Sequence, residues 1–494
     1  MGSPEGLRYV LDPIVRIALA TQHADAHFAP LALLYLKAAL IDQLQVRDDD
    51  AAILEFPDSA SPDTIATRIL AHEPDIVGLS CYVWNIGAFR AVCRIVKARR
   101  PGTLIVLGGP EVGPVAAAVL EANPAADVVV RSEGERPFAA IVSQRRRGGD
   151  LAEVGGITYR DGTAIRETAD APIVSDLNEL ASPHLTLDTD LTGRSVCIET
   201  QRGCVFRCNF CFYNKDLSIR NRRFDLDRVE AEIDHWLQQD IRELYLMDPI
   251  FNLNAARARD ICRFIAARNQ RRVGIHAEVW AEFIDDEMAR LMRDAGFTFL
   301  EVGLQSTDDA ALATVERRLR LQRFLDGIAA LKRYGLWWEL QLIVGLPGDT
   351  RASFRRSLNF AASLDASELA VYPLMVLPGT ELWRKAADLR LAFDPEPPYH
   401  VRSHYSMSEA DIAYGFRVVG ALQEVGDSRA LRLLARERGL TYADVVDAWI
   451  AWDDAHPGDE TTGYRLKQFL LEFLTAREIP PAFYTGFASW ERAG

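Results

Sequence analysis

The sequence predicts an α/β protein in three parts: a doubly wound, Rossmann-like parallel sheet, a partial (β/α)6 barrel of the TIM type, and a C-terminal helical region. Two series of short apolar runs alternating with helix-length amphipathic segments carry that prediction, one over residues 15–147 and one starting at Ser195. A third observation is that the alternation stops near residue 400, where the chain turns helical and acidic. The expected boundaries are 1–150 for the first domain, 151–193 for a hairpin and linker, 194–400 for the barrel and 401–494 for the helical domain.

In the first series the strands read VRIALA, AAILEF, DIVGLS, TLIVLGG and DVVVRSEGE, with helices expected over 31–44, 62–72, 86–100 and 113–122. Five βα units imply a sheet with helices on both faces, whose ligands bind beyond the carboxyl ends of the strands. GGITYRDGTAIR then reads as a hairpin turning at Asp161-Gly162. The second series gives SVCIET, ELYLMD, VGIHAE, FTFLEVGL, WELQLIVGL and ELAVYPLM as six barrel strands, and in such barrels the working residues gather at the carboxyl ends. The tail carries Trp449, Trp452 and Trp490 but no chemical motif.

With 494 residues and a net charge of −14, a protein of several domains is expected, with no bulk affinity for nucleic acid or an anionic membrane. The basic runs Arg145-Arg146-Arg147 and Arg317 to Arg323 read as helix coats. No apolar stretch reaches the ~18 residues of a membrane span. Asp12, Pro13 and Arg16 interrupt any signal-peptide core. Seven cysteines are too few and odd in number for a disulfide framework, so a cytoplasmic protein with reduced thiols is expected.

Three of those cysteines stand together in RGCVFRCNFCFY, at Cys204, Cys208 and Cys211, directly after the strand SVCIET. A C-x3-C-x2-C loop can wrap three thiolates round one face of an iron–sulfur cube, leaving the fourth iron open to a small molecule. Structural zinc would want a fourth Cys or His at motif spacing, which neither Cys197 nor His184 offers. Thiols that merely pack suit poorly a loop carrying Arg202, Gly203, Arg207 and Asn209.

This motif, after the first strand of a six-strand partial barrel, resembles the radical S-adenosylmethionine (SAM) superfamily. The resemblance implies a [4Fe-4S] cluster on Cys204, Cys208 and Cys211 and a SAM bound at its open iron. Reductive cleavage of that SAM then gives a 5′-deoxyadenosyl radical that abstracts hydrogen. It also implies SAM contacts at Phe210 beside the adenine, at Asp248 toward the amino group, and at Glu301, Gln305 and Gln341 in the later strand-end motifs FLEVGLQST and LQLIVGLPGDT.

A doubly wound domain ahead of such a barrel resembles the cobalamin (B12)-binding subgroup, through DIVGLSCYVWN, VLGGPEV, VVVRSEGERPF and His27. The resemblance implies a corrinoid approached by backbone at Gly108 and Gly109 and edged by the loops carrying Trp84, Glu133 and Glu135. In the D-x-H-x-x-G pattern that replaces the corrin's lower base, this chain has Pro30 where glycine belongs. His27 is therefore expected near the corrin rather than on cobalt, with Trp84 closing the lower face or else packing in the core.

The subgroup implies a cobalamin-dependent C-methyltransferase acting on an unactivated carbon of a small-molecule or peptide natural product. The electron donor would be of the flavodoxin or ferredoxin type. A rearrangement, cyclisation, ring contraction or dehydration without methyl transfer stays open, as does a non-catalytic iron–sulfur regulator. No catalytic residue is assigned.

Overall fold

The computed structural model describes residues 14–214, 221–424, 431–432, 435–436, 439–458 and 462–477. It divides into two compact units, Met1–Ile198 with Arg222–Arg242, and Glu199–Asn221 with Glu243–Gly494.

In the first unit, strands β1 (Ile17–His23), β2 (Ala51–Pro57), β3 (Ile76–Ser80), β4 (Leu104–Gly108) and β5 (Val128–Val130) run parallel in the order β2-β1-β3-β4-β5. That order reverses direction between β1 and β3, which makes a doubly wound switch point there. Successive residues of each strand face opposite sides, and both sides are apolar. Ala18, Ala20, Val77, Leu79, Ile105 and Leu107 share a core with Ile65 of α2 (Pro62–Leu70) and Phe89 of α3 (Ile86–Arg99). Ile17, Leu19, Ile76 and Val106 pack on the other side with Leu33 of α1 (Leu31–Leu44) and Phe138 of α5 (Glu135–Arg147). The fourth helix, α4 (Ala116–Ala122), follows a short 3-10 turn. Local sequence sets the helix ends: Ser61 accepts from the Thr64 N–H ahead of Pro62, and α5 stops at the left-handed Gly148.

The Asp161-Gly162 hairpin forms, as β6 (Ile157–Asp161) and β7 (Ala164–Glu167), with Gly162 at φ +60°. It is not a separate linker element: β6 pairs antiparallel with β5 and extends the first sheet to seven strands.

The second sheet holds β8 (Ser195–Ile198), β9 (Glu243–Leu246), β10 (Gly274–Val279), β11 (Phe297–Gln305), β12 (Trp338–Val344) and β13 (Glu368–Pro373), neighbours in chain order. Among its helices, α8 (Asp286–Ala295) begins where the Asp285 carboxylate accepts from the Met288 N–H and ends at Gly296, φ +92°. Helices α6 (Leu226–Leu237) and α7 (Ala255–Arg268) precede it in the chain. The chain continues through α9 (Asp309–Thr314), α10 (Leu321–Arg333) and α11 (Arg351–Ser363).

Past a short strand at Val401–Ser403 the described elements are helices, as expected: α12 (Glu409–Glu424), α13 (Tyr442–Ala455) and α14 (Thr462–Thr475). This stretch shares a compact unit with β9 to β13, and Ile412 packs with Leu346, Leu374 and Val376. Trp449 and Trp452 stack at 5.5 Å, while Trp490 lies outside the described residues. Among the described residues no helix is long and apolar enough to cross a membrane.

Candidate active site

Cys204, Cys208 and Cys211 follow β8 on one loop, and none is in a disulfide. The Cys211 N–H donates to the Cys208 carbonyl at 3.0 Å, and buried Asn209 fastens the loop. The Asn209 N–H donates to the Val315 carbonyl (3.1 Å), its side-chain amide to the Thr314 carbonyl (2.7 Å), and its own carbonyl accepts from Leu382 (2.9 Å). Burial, then the neighbouring thiols, pushes the Cys211 thiol up to about 12, and burial likewise raises Cys204. Three such thiols suit a cube, in which each thiolate takes its own iron. Among the described residues no three His, Cys, Asp or Glu side chains converge as one metal ion would require.

The second-strand motif braces this loop from two sides. Asp248, 1% exposed, accepts from the Thr200 N–H (2.7 Å), the Thr200 hydroxyl (2.6 Å) and the Gln201 N–H (3.1 Å). Burial outweighs those bonds and pushes its carboxyl up to about 7. The sequence placed Asp248 toward an amino group of SAM. In the structure its oxygens hold the entry to the cysteine loop. Asn252, from the same motif, exchanges two hydrogen bonds with the backbone of Trp280 (2.9 and 3.0 Å). The Trp280 ring in turn stacks on Phe206, between the first two cysteines, at 4.0 Å and 7°.

Two of the expected later residues meet directly. The Gln341 amide donates to Glu301 (2.9 Å) and to Glu339 (2.8 Å), the Tyr245 hydroxyl donates to Glu301, and the Tyr372 hydroxyl donates to Glu339 (3.2 Å). Strand register explains the meeting. Glu278 pairs with Glu301, Glu301 with Glu339, and Glu339 with Glu368, so four parallel strands present one row of carboxylates on a single face. Burial pushes Glu278 up to about 8, with Glu301 adding repulsion, and Glu339 is raised for the same reasons. Gln305 lies beyond this row at φ +71°, a strained value for a side-chain-bearing residue, where the register of β11 shifts. Phe210 packs in the apolar group of Leu346, Leu374 and Val376.

Sequence reasoning missed Glu278 and Glu339, which strand register brings into one row, Tyr245 and Tyr372, which bond to that row, and Trp280, which stacks on the cysteine loop. It also misread Arg317 as part of a helix coat. The Arg317 guanidinium lies over Trp280, 4.3 Å from the ring centre, donates to the Gly303 carbonyl at 2.5 Å, and reaches Cys208 Sγ at 3.8 Å.

In the first unit the loops after β1 and β3 flank the switch point. Trp84 is 53% exposed, so it is no core residue. It stacks on Tyr82 at 4.5 Å and 4°, and its indole N–H donates to the Gln22 carbonyl at 3.0 Å. Asn85 donates to the same carbonyl and to Ser80, tying the ends of β1 and β3 together. His27 is exposed, with Nδ1 on the Asp25 carboxylate at 2.8 Å.

Three further residues expected near the corrin are also engaged within the chain. Gly109 (φ +110°) is required by the chain itself, since a Cβ there would sit 2.5 Å from the Cys81 carbonyl oxygen. Of the pair, only Gly108 leaves ordinary space beside it. Glu133 takes a bidentate ion pair from Arg222 (2.6 and 3.0 Å), and Glu135 is buried in the first turn of α5, where its charge suits the helix N-terminus. Both carboxylates thus sit against other parts of the first unit.

A parallel barrel with a three-cysteine loop after its first strand, in one chain with a doubly wound unit, defines a radical SAM enzyme carrying a second cofactor-binding fold. Comparison with known proteins agrees. The profile of the radical SAM superfamily matches residues 198–361, and that of the B12-binding domain matches residues 16–142. The chain thus carries a B12-binding domain followed by a radical SAM domain.

The uncharacterized methyltransferase PH0819 of Pyrococcus horikoshii is 28% identical over 72% of this chain and 78% of its own. The cobalamin-dependent radical SAM methyltransferase TokK of Streptomyces tokunonensis is 30% identical over 63% of this chain, which spans 48% of TokK's length. The structure of the radical SAM methyltransferase TsrM from Kitasatospora setae, with cobalamin and a [4Fe-4S] cluster bound, superposes with a TM-score of 0.66. That match covers 83% of this chain and 96% of TsrM, and at 16% identity it is a likeness of fold.

Proposed function

We propose that this protein is a cobalamin-dependent radical C-methyltransferase acting on an unactivated carbon of a small-molecule or peptide natural product. The reading rests most on the cysteine loop: three closely spaced thiols, outside any disulfide, after the first barrel strand, braced by Asp248, Asn209 and the Phe206–Trp280 stack. When bound, a [4Fe-4S] cluster with SAM supplies a 5′-deoxyadenosyl radical, and a corrinoid supplies the methyl carrier.

Cys204, Cys208 and Cys211 would hold the cluster. The layer of Tyr245, Glu301, Gln341, Glu339 and Tyr372 offers hydroxyl-binding donors and acceptors suited to the ribose of SAM. In the first unit, the Tyr82–Trp84 pair at the switch point offers a flat apolar surface, so Trp84 is assigned to the lower face of the corrin and His27 to its neighbourhood. A one-electron donor of the flavodoxin or ferredoxin type completes the system.

Anaerobic reconstitution followed by ultraviolet–visible spectroscopy and iron and sulfide analysis tests the cofactor set, with both cluster and corrinoid bands expected. Product mass then tests the reaction: one added CH2 unit supports methyl transfer, and an isomeric or dehydrated product overturns it. Intact cluster without SAM cleavage, across candidate substrates, would leave only a non-catalytic role.

A further inference from the structure

We propose that Arg317 is a positioning residue for the cluster, placing a fixed positive charge and an N–H donor against the sulfur of Cys208 and so making the cluster easier to reduce. The inference rests on the reading of the three cysteines as cluster ligands.

Three contacts define where this guanidinium stands. One nitrogen donates to the Gly303 carbonyl (2.5 Å), another reaches Cys208 Sγ (3.8 Å), and the central carbon lies over the Trp280 ring, 4.3 Å from its centre. Phe206 already stacks on Trp280 at 4.0 Å. Two groups that close to one ring centre cannot share a face, so Phe206, Trp280 and Arg317 form a three-layer sandwich. Its outer members are a residue of the cysteine loop and the cation that reaches into that loop. Cation–π contact and a charge-assisted bond to a carbonyl both favour keeping the group there.

The surroundings are built around this placement. Arg317 follows α9, where its N–H closes on the Leu312 carbonyl at 2.9 Å, and the adjoining Thr314 and Val315 carbonyls are the ones Asn209 of the cysteine loop grips. Turn and loop are thus fastened together two to three residues from the guanidinium. Gly303 leaves the space the side chains occupy: a Cβ there would lie 3.2 Å from Arg317 Nη2 and 2.4 Å from the Gln305 amide. An arginine that only coated a helix would need none of these contacts.

The potentials of iron–sulfur clusters depend on net charge, on hydrogen bonds to the sulfurs and on solvent exposure. Arg317 acts on the first two. A cationic donor stabilises the more negative, reduced cluster more than the oxidised one. In the protein, that favours the electron transfer on which cleavage of SAM depends.

The test is a redox titration of the reconstituted protein with dithionite, followed by electron paramagnetic resonance, for the wild type, Arg317→Lys and Arg317→Gln. Iron and sulfide content of the wild type checks the cluster reading separately. Arg317→Gln is expected to load its cluster but to reduce at a more negative potential, and Arg317→Lys, which keeps the charge, to recover part of the difference. An unchanged potential in Arg317→Gln overturns the proposal. So does a variant whose only defect is weaker SAM binding, which would assign the guanidinium to that cofactor's carboxylate. If neither variant loads, wild-type protein labelled with 15N in its arginine side chains decides. A nitrogen coupling to the reduced cluster supports the contact, and its absence overturns it.

Discussion

The two parallel sheets are built from the same strand–helix repeat and differ in what their strands face. In the first, both faces of β1, β3 and β4 are apolar and each has its own core. In the second, one face of β10–β12 is apolar, through residues such as Ala277, Leu300 and Leu340, and the other carries Glu278, Glu301, Glu339 and Gln341. The first arrangement leaves ligands only the ends of the strands. The second gives up an apolar core on one face and accumulates carboxyls, of which burial disfavours the charged forms of Glu278 and Glu339. The contrast teaches that the repeat fixes a scaffold, and the face turned inward decides where chemistry can be done and how much stability it costs.

The largest expected effect separates the two units outright. Cys208→Ala should abolish cluster assembly, read as iron and sulfide after anaerobic loading, while the first unit stays folded and still binds corrinoid. Normal iron content in that variant would contradict the ligand set.

Next come two substitutions of similar size, one in each unit. Asp248→Ala strips three donors of their shared acceptor inside the protein, and a loss of roughly 3 kcal/mol is expected by denaturant titration. Asp248→Asn, which keeps one oxygen acceptor, should lose less. Gly109→Ala forces a Cβ against the Cys81 carbonyl at a left-handed backbone position, for a loss of roughly 3 kcal/mol that should appear only in the unfolding of the first unit.

Glu278→Gln should stabilise, with a pH signature. The folded-state pKa of Glu278 is raised from 4.5 to about 8. Its protonated form therefore contributes stability in full below about pH 4.5, and that contribution drains away as pH climbs toward 8. Glutamine cannot ionise, so the variant's advantage should be near zero at pH 4 and reach on the order of 5 kcal/mol at pH 8 to 9. A gain independent of pH would mean that charge in the carboxylate row is not the cause. The smallest effect is expected at the corrinoid: His27→Ala should retain it with an unaltered cobalt spectrum, and loss of corrinoid would instead assign His27 to the metal.

Much of the fold was legible in the sequence, because short apolar runs alternating with period-3.6 segments report which faces of each element are buried. The hairpin at Asp161-Gly162 was legible too, but not its partner, since turn chemistry says nothing about which strand edge lies open beside it. Of the candidate site, the cysteines stood out because thiols at that spacing in a polar loop have few other uses. The strand-end residues were legible only by position in their motifs. What Asp248 and Glu133 bond to was not, because a carboxylate's partner is chosen by whichever donors the fold brings near.

By itself, the sequence determined the two strand–helix series, the three-thiol loop after β8 and the shortage of glycine in the His27 loop, all properties of local spacing and backbone freedom. Tertiary structure alone decided that Glu278, Glu301, Glu339 and Glu368 share one layer, that Arg317 leaves its basic run to lie on Trp280 beside Cys208, and that Trp84 stands exposed at the switch point. Those facts depend on register and packing between segments far apart in the chain, and no local pattern encodes them.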